Sequence, residues 1–225
     1  MSLVFRQRIA FDNEVIHSSA HVVRIGLDLQ DKRILTRLEV QFLRNSPAPH
    51  IHYVGIEKYP VPIEEALQLN FPDHITKMQH LLHSGELLHF CKNGADSFSL
   101  DEIKIWFKSI HTIHWENDIE IAPSFNLTKI NADITECTAA QFKSRIYPKA
   151  PSVIYYDTFS PATQPNLWEK SIFEQIFTGT NTQSVLTTYC SKGIVKQALR
   201  DVGFKLERLP GPPGKRHILR ATKLS

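Results

Sequence analysis

Residues 151–168 read PSVIYYDTFSPATQPNLW, and this stretch decides the fold. Val153, Ile154, Tyr155 and Tyr156 make a short apolar run of β-branched and aromatic side chains, the pattern of a buried strand. Asp157 ends the run. Thr158, Phe159, Ser160 and Pro161 then form a turn-rich set that continues neither a strand nor a helix. In an open α/β sheet, ligands bind at the carboxyl ends of the strands. An acid, an aromatic ring and a rigid proline at that place read as a small-molecule site. The plainer reading is a strand-ending aspartate that caps the next turn.

Strand and helix patterns alternate on either side. Upstream, residues 20–25 read as a first strand followed by Gly26, and residues 31–43 have helical spacing. Residues 51–56 read as a second strand ended by Glu57, and Pro62 opens a helix running to Leu69. Residues 125–130 read as a third strand with Asp133 just beyond, and 139–147 as a short helix. Downstream, 167–177 is helical, 183–189 a fifth strand, and 192–202 a helix closed by Gly203. Residues 204–209 and 216–222 flank the stiff PGPPG loop, which suits an antiparallel pair. Residues 71–124 hold two further helical patterns, 78–90 and 99–111, and read as a helical insertion in a single domain spanning 1–225. The alternation predicts an α/β fold. Its sheet is mostly parallel and covered on both faces, with one antiparallel strand near the C-terminus.

Composition sets limits. The 225 residues are 42% hydrophobic and 22% charged, ordinary for a soluble globular chain. A net charge of +3 permits an anionic partner such as RNA without arguing for one. Cys91, Cys137 and Cys190 are widely spaced and lack metal-ligand spacing, which reads as free thiols in a reducing, cytoplasmic setting. His74, His80, His83 and His89 carry no companion acid in a familiar motif, so no metal is expected. The opening MSLVFRQRIAF has no signal-peptide pattern. No apolar run approaches the roughly 20 residues of a membrane span, so no membrane partner is expected.

Three acids follow three successive strands: Glu57, Asp133 and Asp157. An acid after the second strand suits a ribose, because a carboxylate accepts from both hydroxyls. Asp133 suits an adenine amino group by the same logic, and Asp157 the reacting partner. Each alone also reads as a solvated strand end; in phase they read as a nucleotide-like site. The first strand argues the other way. A turn that cradles a cofactor needs glycines, and RIGLDLQD supplies only Gly26.

The segments FNLTKINADI (125–134), YYDTFSPATQPNLW (155–168) and LTTYCSKGIVKQALRDVGFKLERLPGPPGKRHILRATK (186–223) resemble the methyltransferase domain of the MnmC family. IHYVGIEKYPV (51–61) is similar to that family's second strand. The family pattern D-A-F-[SA]-P-x-x-x-P-x-L-W is long and specific, and the chain departs from it only at Thr158. The resemblance implies a class I S-adenosyl-L-methionine-dependent methyltransferase fold. It implies methyl transfer to the amine of 5-aminomethyl-2-thiouridine at the tRNA wobble position. Glu57 would hold the cofactor ribose and Asp133 the adenine; Gly26 and Tyr156 are further candidates for cofactor binding. Asp157 would be catalytic, with Phe159 and Pro161 in the acceptor pocket. Tyr156, Phe159 and Trp168 are the rings available to stack on a base. Lys192, Lys196, Lys215 and Arg216 are the cations available to phosphates of the anticodon loop. The flavin-dependent oxidase domain fused to many relatives is expected to be absent, with a separate oxidase acting upstream.

The family's first motif, E-I-G-F-G-T-G-L-N, lies over RIGLDLQDK without a gap: Arg24 replaces the acid, and Asp28 and Gln30 replace two glycines. This leaves open a catalytically silent tRNA-binding relative with a degenerate cofactor turn. A dinucleotide oxidoreductase also fits an acid after the second strand, but no GxGxxG follows the first.

Overall fold

The computed structural model describes residues 19–25, 50–73, 99–122, 125–145, 151–210 and 217–225. In chain order the elements are β1 (Ser19–Ile25), β2 (His50–Glu57), α1 (Ile63–Ala66), α2 (Leu100–Thr112), β3 (Asp118–Ala122), β4 (Phe125–Asn131) and α3 (Ala139–Arg145). There follow β5 (Ser152–Tyr156), α4 (Lys170–Gly179), β6 (Val185–Thr188), α5 (Gly193–Asp201), β7 (Lys205–Pro210) and β8 (His217–Thr222). The strands form one eight-stranded sheet in the order β3-β4-β2-β1-β5-β6-β8-β7. From β1 the sheet grows one way through β2 and β4 and the other way through β5 and β6, all parallel. The order therefore reverses between β1 and β5, which makes their carboxyl ends the switch point where such sheets bind ligands. The expected antiparallel strand is β8, inserted between β6 and β7.

Both faces are covered. On β5 the alternation puts Ile154 and Tyr156 into a core shared with Phe142 of α3, Phe173 and Ile176 of α4, and Val195 and Leu199 of α5. On the other face, Tyr53, Phe125 and Leu127 pack on Ile103, Phe107 and Ile110, one face of α2 at helical spacing. Ser99 and Glu102 start α2 with a reciprocal capping box. Lys129 is buried beneath the end of α2, where its Nζ donates to the His111 carbonyl at 3.0 Å and sits 4.9 Å from the Trp115 ring centre. A cation suits that carbonyl-rich helix end. Two glycines are fixed by space and backbone. A Cβ on Gly179 would meet Phe142 at 2.7 Å, and Gly203 ends α5 at φ +106°.

Three expectations need correction. The 71–124 segment is not wholly helical, because β3 lies within it and pairs antiparallel with β4. Its D-I-E-I-A alternation is a strand signal, and its charges suit an exposed edge. The helix from Pro62 is a single turn, with only Ala66 buried. The expected 167–177 helix is divided into a 3-10 turn, Pro165–Trp168, and α4, with Glu169 extended between them. Tyr156, a candidate cofactor neighbour, has its side chain buried in the helix-packed core. The expected helices at 31–43 and 78–90, and the four histidines with the latter, lie outside the described residues, as do Cys91, the motif residues Asp28 and Gln30, and most of the PGPPG loop.

Candidate active site

Pairing aligns the strand ends. Ile130, Ile56, Ile25, Tyr156 and Thr188 form one continuous row across β4, β2, β1, β5 and β6. One residue further along, the rim carries Asn131, Glu57, Asp157 and Tyr189. Asp133 follows two residues after Asn131 in the turn leaving β4. The topology thus brings Glu57, Asp133 and Asp157 to one edge of the sheet.

Around Asp157 the loop is held from beneath. The Tyr156 hydroxyl donates to the Leu167 carbonyl. Trp168 Nε1 donates to the Phe159 carbonyl at 2.8 Å, and the Tyr189 hydroxyl to the Thr158 carbonyl at 2.9 Å. Two successive carbonyls are therefore turned into the protein. The Ser160 carbonyl accepts from Thr163 and Gln164 N–H, both at 2.9 Å, closing the next turn. With the polar backbone facing inward, the Phe159 ring is left 68% exposed, and Pro161 is half-buried beside it. Thr158, the one departure from the family pattern, is buried. Tyr156 and Trp168 meet edge to face at 5.2 Å, and Trp168 and Tyr189 at 6.0 Å. Burial pushes the Tyr156 hydroxyl well above its usual range. Tyr189 is raised too, first by burial and then by the charges of Cys190 and Asp157.

The other half of the rim is charged. Glu57 is half-buried, and its Oε1 accepts from the Tyr59 N–H at 2.8 Å. Asp133 Oδ1 accepts from the Thr135 N–H at 2.9 Å and the Thr135 hydroxyl at 2.8 Å, while Oδ2 pairs with Lys58 Nζ. Partial burial opposes ionisation of Asp133, but the bonds from Lys58 and Thr135 outweigh it and hold the carboxyl below its usual range. The same bond to Asp133 raises the exposed Lys58. Asn131 Nδ2 donates to the Glu57 carbonyl at 3.1 Å, tying the ends of β2 and β4 together.

The donor set fits a nucleoside with a cationic sulfur. Partly buried carboxylates at the ends of two strands suit hydroxyl and amino donors, and their negative charge suits a sulfonium. Lys192 is exposed as the N-cap of α5, and Lys196 is half-buried one turn on. Gly26, Lys215 and Arg216 lie outside the described residues. Reading the sequence missed Tyr189, Lys58 and Thr135 as rim residues. The pairing of Tyr156 with Thr188 is the signal that puts Tyr189 level with Asp157. Among the described residues, no group of three or more His, Cys, Asp or Glu could hold a metal ion, and no helix is long and apolar enough to cross a membrane.

Strand order and switch point define a class I methyltransferase fold. The solved structure of MNMC2 from Aquifex aeolicus superposes with a TM-score of 0.59 at 15% identity, over 92% of this chain and 54% of that one. A family model described as S-adenosyl-L-methionine-dependent methyltransferase matches residues 101–224, more than half of the chain. The chain belongs to that family, as a methyltransferase domain of the MnmC type. One curated relative is the tRNA 5-methylaminomethyl-2-thiouridine biosynthesis bifunctional protein MnmC of Pseudoalteromonas translucida. It is 23% identical over 190 residues, covering 84% of this chain and 25% of the relative. The protein of the same name from Ralstonia nicotianae is 37% identical over 69 residues, 31% of this chain and 10% of the relative. The chain therefore spans a quarter or less of the length of these curated relatives.

Proposed function

We propose that this chain methylates the primary amine of 5-aminomethyl-2-thiouridine at the wobble position of tRNA. The observation that carries the reading is the Asp157 loop: a carboxylate at the switch point, followed by an exposed Phe159 ring on a backbone whose carbonyls are pinned from below. Bound S-adenosyl-L-methionine supplies an electrophilic methyl group on a sulfonium.

Glu57 accepts hydrogen bonds from the ribose hydroxyls, and Asp133 from the adenine amino group. Phe159 stacks on the displaced uridine, as single-stranded bases are read on aromatic faces. An amine attacks only as its free base. A nearby carboxylate favours the protonated form, so Phe159 and Pro161 must also strip water from the pocket. Asp157 orients the nitrogen through its N–H and takes a proton once the N–C bond has formed and the S–C bond has broken. Lys192 and Lys196 meet phosphates of the anticodon loop, joined by Lys215 and Arg216. The amine acceptor calls for an upstream oxidase that exposes it, and the tRNA for a cytoplasmic setting.

The test is methyl transfer from S-adenosyl-L-methionine to tRNA carrying 5-aminomethyl-2-thiouridine. The wild type methylates it. Asp157→Ala lowers kcat about 100-fold or more and leaves the Kd for S-adenosyl-L-methionine within about threefold, since the loop is held by other side chains. Unchanged turnover in that variant removes Asp157 from the chemistry. A wild type that binds this tRNA without modifying it overturns the reading.

A further inference from the structure

We infer that Tyr189 is a positioning residue for the acceptor side of the site: its hydroxyl, from the loop after β6, fixes the peptide that follows Asp157. The inference rests on the methyl-transfer reading for its consequence but on geometry for its substance. The Thr158 carbonyl receives the Tyr189 hydroxyl at 2.9 Å, across 31 residues of chain. That carbonyl belongs to the peptide joining Thr158 to Phe159, so its orientation sets where the Asp157 carboxylate and the Phe159 ring stand relative to each other. Trp168 holds the next carbonyl at 2.8 Å and packs edge-on against the Tyr189 ring at 6.0 Å and 86°. Each donor therefore braces the other.

Tyr189 is also the residue level with Asp157 on the neighbouring strand, one step past the Tyr156–Thr188 pair. The loops after β5 and β6 flank the same side of the switch point, and this hydroxyl joins them. A tyrosine suits the task because the ring packs against apolar neighbours while the tip carries a donor. Tyr189 does not touch the transferred methyl. It acts through Asp157 and Phe159.

Tyr189→Phe removes one oxygen and keeps the ring. We expect the Kd for S-adenosyl-L-methionine to stay within about twofold and kcat on the modified tRNA to fall about tenfold, because a catalytic group displaced by a fraction of an ångström loses alignment. In an Asp157→Ala background the same substitution should cost much less in kcat than in the wild type, since only the placement of Phe159 is left to disturb. A general loss of stability would add to the Asp157→Ala defect instead. Backbone amide exchange at Phe159 and Ser160 should quicken in Tyr189→Phe while exchange in β4 is unchanged. If exchange at Phe159 is unaltered, or the two kcat losses add in full, the inference is overturned. A wild type that transfers no methyl group to this tRNA defeats the functional reading, and the exchange experiment still decides the role of Tyr189.

Discussion

At the ends of β5 and β6 the rim is held by neutral donors rooted in the core, Tyr156, Trp168 and Tyr189, each bonded to a main-chain carbonyl. At the ends of β2 and β4 it is held by charges near the surface, with Lys58 paired to Asp133 and Glu57 bonded to the Tyr59 N–H. Hydrogen bonds in a low-dielectric interior are strong and indifferent to salt. Exposed ion pairs are screened and contribute little. The half proposed to receive the nucleobase is thus shaped in advance, and the half proposed to receive the cofactor nucleoside is free to exchange partners. A base lifted from an RNA loop brings its own cost of displacement, which a preformed platform does not increase.

The contrast breaks most easily at Glu57. Glu57→Ala should raise the Kd for S-adenosyl-L-methionine about tenfold, the worth of a hydrogen bond to a charged group, measured by calorimetry. Stability should hold, because the β2–β4 contact runs through the Glu57 main-chain carbonyl rather than its carboxylate. An unaltered Kd would make Glu57 a solvated strand end and remove one side of the comparison.

How much of this was legible in the sequence follows from the same physics. Periodicity over 125–131 and 152–156 reports burial directly, so β4, β5 and the Asp157 turn were readable. The family pattern through Trp168 placed Phe159 and Pro161 beside Asp157. Strand β3 was missed because two isoleucines between charges make a short signal beside the strong helical pattern of α2. The alternation that buries Ser152 and Ile154 buries the Tyr156 side chain as well. Tyr189 stayed hidden because its partner is a main-chain carbonyl in another loop. No side-chain pattern reports a bond to backbone. The same holds for Trp168, whose indole donates to the Phe159 carbonyl.

The comparison extends into the core beneath β4. Burial, and then the neighbouring charge of Lys129, push His111 down to about 4. Burial alone brings Lys129 down to about 8. For His111, the unfolded chain binds the extra proton between pH 6.5 and about 4, so its contribution to stability is complete above 6.5 and is lost as the solution is acidified. The slope from this one group is at most about 1.4 kcal/mol per pH unit. Lys129 runs the same way at higher pH: stability rises as pH climbs from about 8 to 10.5, where only the folded chain has shed the proton. His111→Phe, which keeps the edge contact with Phe107 at 4.5 Å, should flatten the acid limb of a denaturation-versus-pH series. A limb as steep as in the wild type would place the acid sensitivity elsewhere.

The smallest effect sharpens the contrast most. Lys58 pairs with Asp133 Oδ2, so under the proposed reading Lys58 and the adenine amino group compete for the same carboxylate. The Lys58 ammonium is solvated and screened, so Lys58→Ala should tighten S-adenosyl-L-methionine binding by no more than about threefold. Added salt weakens the pair in the wild type and has no such pair to weaken in the variant. The two Kd values should therefore converge as ionic strength rises, while the neutral bonds around Asp157 leave acceptor binding to the Phe159 platform indifferent to the substitution. Weaker binding in Lys58→Ala would reverse the assignment and make Lys58 a direct contact to the cofactor.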